Sequence, residues 1–246
     1  MNGWHPPQIV FGLGSGRCGT QSLAALLNDQ QGARVWHEVL GPAVAWEGGH
    51  RAVDEVLRRF LLHAEAKLVG DVASYYLPYV QQILAACPRV RFVCLKRDRE
   101  ETVASFLTKT ARKNHWMTHD GTQWKRTPWD TCFPKYPASS KAEALGLYWD
   151  DYYRRAAELE TSLPQGFRVF SIAELNTEEG QHAILEFLGI PRELRRLAVG
   201  LRLNASKPGG LRRLLDHVRK LAPWDLLDGK RLHPAATRRR GQRRAA

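Results

Sequence analysis

Cysteine is scarce in this chain. Only Cys18, Cys87, Cys94 and Cys132 occur among 246 residues, and no two stand in C-x-x-C spacing. The absence of that spacing excludes a zinc ribbon and a thioredoxin-like redox pair. A chain of this length with 43% hydrophobic residues can bury a core without disulfides, so reduced thiols and a cytoplasmic location are expected. Long apolar runs are also missing. No stretch approaches the roughly 20 residues of a membrane-spanning helix, so no transmembrane segment is expected. Met1 to Gln8 carries Trp4, His5 and two prolines, and lacks the basic start and apolar run of a secretory leader. Neither an internal repeat nor a linker-like stretch interrupts the middle. This predicts a single domain over residues 1–236 and a basic, solvated tail over 237–246.

Acidic residues are in the minority, with 25 Asp and Glu against 37 Lys and Arg, for a net charge of +12. The excess is not spread evenly. From Gly210 to Ala246 eleven Lys or Arg stand against three Asp, which places +8 of the charge there. A basic terminus can attract nucleic acid, an anionic surface or an acidic substrate. The rest of the chain lacks an organised basic face, so no specific nucleic-acid partner is expected.

What is present is an alternation of strand-like and helix-like segments. Ile9-Val10-Phe11 is a short β-forming run that leads into glycines, and Gln21 to Asn28 then repeats leucines at helical spacing. Val35 to Val39, Leu68 to Val72, Val90 to Leu95 and Val169 to Ile172 are further strand candidates. Helical patterns cover Val53 to Leu68, Pro78 to Ala86, Glu100 to Thr110, a stretch from about Lys141, and Gln181 to Leu188. Val90 to Leu95 is almost continuously apolar, as a strand buried on both faces is. The pattern predicts an α/β, P-loop-type three-layer fold with a central, mostly parallel sheet flanked by helices.

The glycine loop, Gly12-Leu13-Gly14-Ser15-Gly16-Arg17-Cys18-Gly19-Thr20, sits between the first strand and the first helix. Backbone N–H groups and the positive end of a helix make such a loop an anion cradle. It departs from the nucleoside triphosphatase loop. Gly14 and Gly19 have the right separation, but Thr20 stands where the lysine belongs and Gln21 where the Mg²⁺-binding hydroxyl belongs. A dinucleotide loop is excluded too, because Arg17 occupies the third glycine position of G-x-G-x-x-G.

The run Arg17-Cys18-Gly19-Thr20-Gln21-Ser22 resembles the 5′-phosphosulfate loop of sulfotransferases that use 3′-phosphoadenosine-5′-phosphosulfate (PAPS). A second likeness is Arg97 after the strand Val90 to Lys96, with Ser105 eight residues on. A third is Phe170 to Leu175 followed by Ile184 to Ile190. The resemblance spans about Ile9 to Lys207 and allows a bacterial-type or sugar-modifying branch. It implies PAPS as donor co-substrate, held by Ser15, Gly16, Arg17, Cys18, Gly19, Thr20, Gln21 and Ser22, with Arg97 and Ser105 on the 3′-phosphate. Lys207, in the late loop Asn204-Ala205-Ser206-Lys207, would close over the nucleotide. No metal is demanded. The reaction implied is sulfuryl transfer to an acceptor hydroxyl or amine, with Arg17 as the cation on the transferring group. A P-loop nucleotide kinase or other phosphotransferase is the alternative, and the missing Gly-Lys-Ser/Thr argues against it.

An acceptor hydroxyl must lose its proton as it attacks sulfur, so a base is needed. Members of the family use Glu or His, and Glu38 with His37 falls where the sugar-modifying branches carry a Glu. Glu38 is the first candidate, His37 the second, and Asp71 a third. Family members often carry a lysine beside the position of Asp71; here Gly70 and Val72 flank it.

The segment from Arg112 to Tyr153 holds nine aromatic residues. Either they pack the insertion onto the domain or they form a lid whose ring faces stack on an acceptor. His115 and His119 share helical spacing, but Gly121 and the polar surroundings argue against a metal pair. The acceptor class stays open between a small molecule, a carbohydrate and a lipid.

Overall fold

A computed structural model describes residues 7–63 and 65–200. Lys207, its loop Asn204 to Lys207 and the basic tail lie outside the described residues. Five strands, β1 (Gln8–Leu13), β2 (Ala33–His37), β3 (Leu68–Val72), β4 (Arg91–Lys96) and β5 (Phe167–Ser171), form one sheet in the order β2-β3-β1-β4-β5. Every pairing is parallel. The helices are α1 (Thr20–Asn28), α2 (His50–Leu61), α3 (Val80–Ala86), α4 (Arg99–Lys109), α5 (Lys141–Ser162), the single turn α6 (Ile172–Leu175) and α7 (Glu178–Phe187).

Successive residues of the central strands feed opposite faces, which makes three layers. On β1 and β4, Phe11, Leu13, Phe92 and Cys94 join a core with the side chains of α2 to α5. Val10, Val93 and Leu95 join a second core with Leu23, Leu26 and Leu27 of α1 and Ile184 and Leu185 of α7. Both faces of β1 and β4 are covered, which is why their sequences read as unbroken apolar runs. The α/β class expected from the alternation is the observed one.

Two elements differ from the sequence pattern. The apolar periodicity predicts a helix from Val53 to Leu68, yet α2 ends at Leu61 and leaves Leu61 and Leu62 65% and 79% exposed. The chain has to reverse into β3 at Leu68, and the His63 carbonyl takes the Ala66 N–H in the turn that does so. The pattern from Pro78 resolves into a 3-10 stretch over Ser74–Tyr79, with Pro78 inside it, before α3 begins.

The strand order runs outward from β1 in both directions, so the topology reverses at β1. In such sheets ligands bind in the crevice beyond the carboxyl ends of the strands at that point. The glycine loop leaves β1 there. Glu38 follows the end of β2, Asp71 lies near the end of β3, and Arg97 follows β4.

Candidate active site

The glycine loop is held in a conformation that few residues can adopt. Gly14 and Gly16 have φ of 144° and 87°, and Gly19, at φ 94°, precedes α1 with no side chain capping the helix. A Cβ at Gly14 would collide with Cys18 Sγ and lie 2.8 Å from the Leu95 carbonyl. The first N–H groups of an uncapped helix have no intrahelical partner, and with the helix dipole they favour an anion.

Three tyrosines of α5 clasp this loop from 133 or 138 residues away. Tyr148 donates to the Ser15 carbonyl at 3.0 Å. Tyr152 accepts from the Gly14 N–H at 2.9 Å and donates to the Ser74 carbonyl at 3.1 Å. Tyr153 accepts from the Ser15 N–H at 3.3 Å and donates to the Leu95 carbonyl at 2.7 Å. All three phenols are buried, and burial pushes them well above the usual range, so they stay neutral. Their spacing in the sequence is that of one helix face, the only signal that could have found them. Tyr152→Phe is expected to leave Gly14 N–H and the Ser74 carbonyl unpaired in the interior, at a cost of about 1–3 kcal/mol. Chemical denaturation measures that loss; an unchanged midpoint would mean that the loop holds its shape unaided.

The structure gathers the basic residues expected of the site. Arg17, left-handed at φ 58°, directs Nε to Ser105 Oγ at 3.0 Å. Arg97 donates from Nη1 to the Arg17 carbonyl at 3.1 Å and from Nε to Glu101 at 2.9 Å. Burial and then the nearby Arg97 charge lower the Arg17 pKa, the mark of two cations drawn together. Ser105 lies on α4, whose N-cap Asp98 accepts from the Glu101 N–H at 2.9 Å. The direct Arg17–Ser105 contact was not expected from the sequence, which placed them at opposite ends of the donor. Ser15 and Cys18 are fully buried, and burial raises the Cys18 thiol, so it packs beneath the loop as a neutral group.

Across the loop, His37 Nε2 meets Thr20 Oγ1 at 3.1 Å, which sets the end of β2 against the first residue of α1. Burial lowers His37 to about 4, so its imidazole is neutral at pH 7 and its 3.8 Å approach to Glu38 is no ion pair. Glu38 has φ 55°. It and Arg17 are the only non-glycine residues with positive φ among the described residues. Burial first and the Asp71 charge second raise Glu38 to about 7. Its side chain keeps 35% of its surface exposed, whereas Asp71 is fully buried.

A family model described as a sulfotransferase domain matches residues 9–192. The chain belongs to the sulfotransferase family. A solved sulfotransferase from Alicyclobacillus acidocaldarius is similar over 89% of this chain and 92% of that one, at 15% identity and a TM-score of 0.49. No curated protein matches in a sequence search.

The aromatic segment of this sulfotransferase divides in two. Trp116, Tyr148, Tyr152 and Tyr153 are core residues, while Trp124, Trp129, Phe133, Tyr136 and Trp149 are half-buried. Trp129 lies beside Gly41, which brings the insertion to the turn that follows Glu38. His115 and His119 both approach Asp130 Oδ1, at 3.1 and 3.2 Å. Among the described residues no group of three or more His, Cys, Asp or Glu is arranged to hold a metal, and no helix is long and apolar enough to cross a membrane. The four cysteines are free thiols.

Proposed function

We propose that this sulfotransferase takes its sulfuryl group from PAPS and passes it to an acceptor hydroxyl or amine, with Glu38 as general base. The observation that carries the reading is the pairing of strained residues. Left-handed backbone at a non-glycine residue costs energy and gathers at functional sites, and among the described residues it falls on the loop arginine and the candidate base alone. The two residues border the same helix terminus, one through the glycine loop and the other through the His37–Thr20 contact.

The residues present fit a bisphosphorylated nucleotide. The uncapped start of α1 and the Gly14–Thr20 loop suit the 5′-phosphosulfate. Arg97 with Ser105 suits the 3′-phosphate, and Arg17, between them, can neutralise charge on either side. When bound, PAPS supplies an electrophilic sulfur with a phosphate leaving group. Glu38 accepts the acceptor's proton as the new sulfur–oxygen or sulfur–nitrogen bond forms and the bond from sulfur to the phosphate oxygen breaks. Negative charge developing on that leaving oxygen is met by the loop N–H groups and Arg17.

Exposure and proton affinity favour Glu38 over the other candidates. Asp71 has no exposed surface from which to reach an acceptor. His37 is a weak base once burial has lowered it to about 4. We take the acceptor to be a small molecule, carbohydrate or lipid approaching along the turn after Glu38, which the half-buried Trp129 borders at Gly41. Lys207 is assigned to the nucleotide by family resemblance, and a single domain with a basic tail in the cytoplasm completes the reading.

The product 3′-phosphoadenosine-5′-phosphate is expected to raise the Tm, by about 2.7 kcal/mol of stabilisation at a hundred times its Kd. ATP with Mg²⁺ should raise it far less. A larger shift with ATP and Mg²⁺ would establish the kinase alternative instead.

A further inference from the structure

Asp71 stands in β3 opposite Phe11 of β1 and Trp36 of β2, within the aromatic layer under the sheet. Its Oδ2 accepts from the Tyr76 hydroxyl at 2.7 Å and from the Val39 N–H at 3.1 Å. Its Oδ1 is buried with no hydrogen-bond partner, and so is the neighbouring Tyr75 hydroxyl. A carboxylate in such a place is costly. An Asn or Ser side chain could take the Val39 N–H without the charge. The charge is therefore the feature to be explained.

The position of that bond gives the explanation. Val39 is the residue after Glu38. The Glu38 N–H donates to the Val72 carbonyl at 3.2 Å, and the Glu38 carbonyl accepts from the Gly41 N–H at 2.8 Å. With the Asp71–Val39 bond between them, these contacts bracket the left-handed residue on both sides.

We propose that Asp71 is a positioning residue for Glu38: its carboxylate, bonded to the Val39 N–H, locks the turn that presents Glu38 and keeps a negative charge beside it. This rests on the reading of Glu38 as the base. The surroundings agree with it. From β2 come His37, neutral, and Glu38 itself; from the Ser74–Tyr79 stretch come Tyr75 and Tyr76, whose phenols are held neutral by burial and by the two carboxylates. From the insertion comes Cys132, whose thiol burial and Glu38 raise. The influences acting on Glu38 are burial and the Asp71 charge, and burial also raises Asp71, to about 6. Two carboxyls in that relation titrate as a pair.

The test is a ¹³C-carboxyl NMR titration of the free protein, wild type, Asp71→Asn and Glu38→Gln. Asp71→Asn keeps an oxygen for Val39 and Tyr76 and removes the charge. The Glu38 midpoint is expected to fall by about 1 pH unit. Asp71 ionises first, while Glu38 is still neutral, so its own step should stay in place in Glu38→Gln, but the second step that its signal takes as Glu38 ionises should vanish. The acidic limb of the kcat/KM profile should move to lower pH with Glu38 in Asp71→Asn. A Glu38 midpoint unmoved in Asp71→Asn overturns the proposal. Should Asp71→Asn fail to fold, that second step decides alone, and a wild-type Asp71 signal that does not move as Glu38 ionises overturns the proposal equally. The base assignment fails separately: a Glu38→Gln protein that turns over at about the wild-type rate sinks it whatever the titration shows.

Discussion

Glu38→Gln is expected to lower turnover by about 10²–10⁴-fold and to leave the affinity for 3′-phosphoadenosine-5′-phosphate almost unchanged. The amide keeps the shape of the side chain and cannot take a proton. Donor binding should survive because the loop, Arg17, Arg97 and Ser105 do not touch Glu38 among the contacts seen. The same assignment fixes a pH dependence. The base acts as the carboxylate, and burial with the Asp71 charge places its midpoint at about 7. Wild-type kcat/KM should therefore rise about tenfold per pH unit from the acid side and level off above neutrality. His37→Asn should cost less, through the lost Thr20 contact. Steady-state rates for both variants with labelled donor are the measurement. A dead His37 variant beside an active Glu38→Gln would transfer the role to the imidazole.

Arg97→Ala carries the second large effect. Removing a charged hydrogen bond to the 3′-phosphate costs about 1.5–3 kcal/mol, about ten- to a hundredfold in donor affinity. The structure adds a second route to a loss, because Arg97 also supports the carbonyl of the left-handed Arg17. The two routes separate with a pair of ligands. If Arg97 binds the 3′-phosphate, adenosine 5′-phosphosulfate, which lacks it, should bind the variant almost as it binds wild type. Equal losses for both ligands, measured by calorimetry, would show that Arg97 acts by holding the loop.

Most of the site residues proposed from the sequence stand at or just beyond the carboxyl end of a strand. Local chemistry marks such places, as glycines after β1, Arg97 after β4, and His37-Glu38 at the end of β2. The parallel sheet then brings them together without further instruction, since all strands end on the same edge. What was not legible is non-local or conformational. Tyr148, Tyr152 and Tyr153 read as part of an aromatic segment, and only tertiary contact shows that they grip the loop. The left-handed turn at Glu38 leaves no trace in sequence, because Glu is not a residue that φ of 55° favours. Asp71 could be named as a candidate base, but its complete burial, on which the proposed supporting role rests, depends on the rings packed over it.

The grip of α5 on the glycine loop also orders events in time. The loop, Arg97 and Ser105 are all synthesised before residue 141, so these parts of the proposed donor site precede in the chain the helix that shapes the loop. Contacts between residues 138 apart form late, after the entropy of closing the intervening chain has been met. Until α5 docks, Gly14 N–H and the Ser15 carbonyl have lost their water without gaining the tyrosines, or have kept it and left the cradle open. Under the proposed reading, affinity for the donor depends on the docking of α5 and so on the completion of the fold.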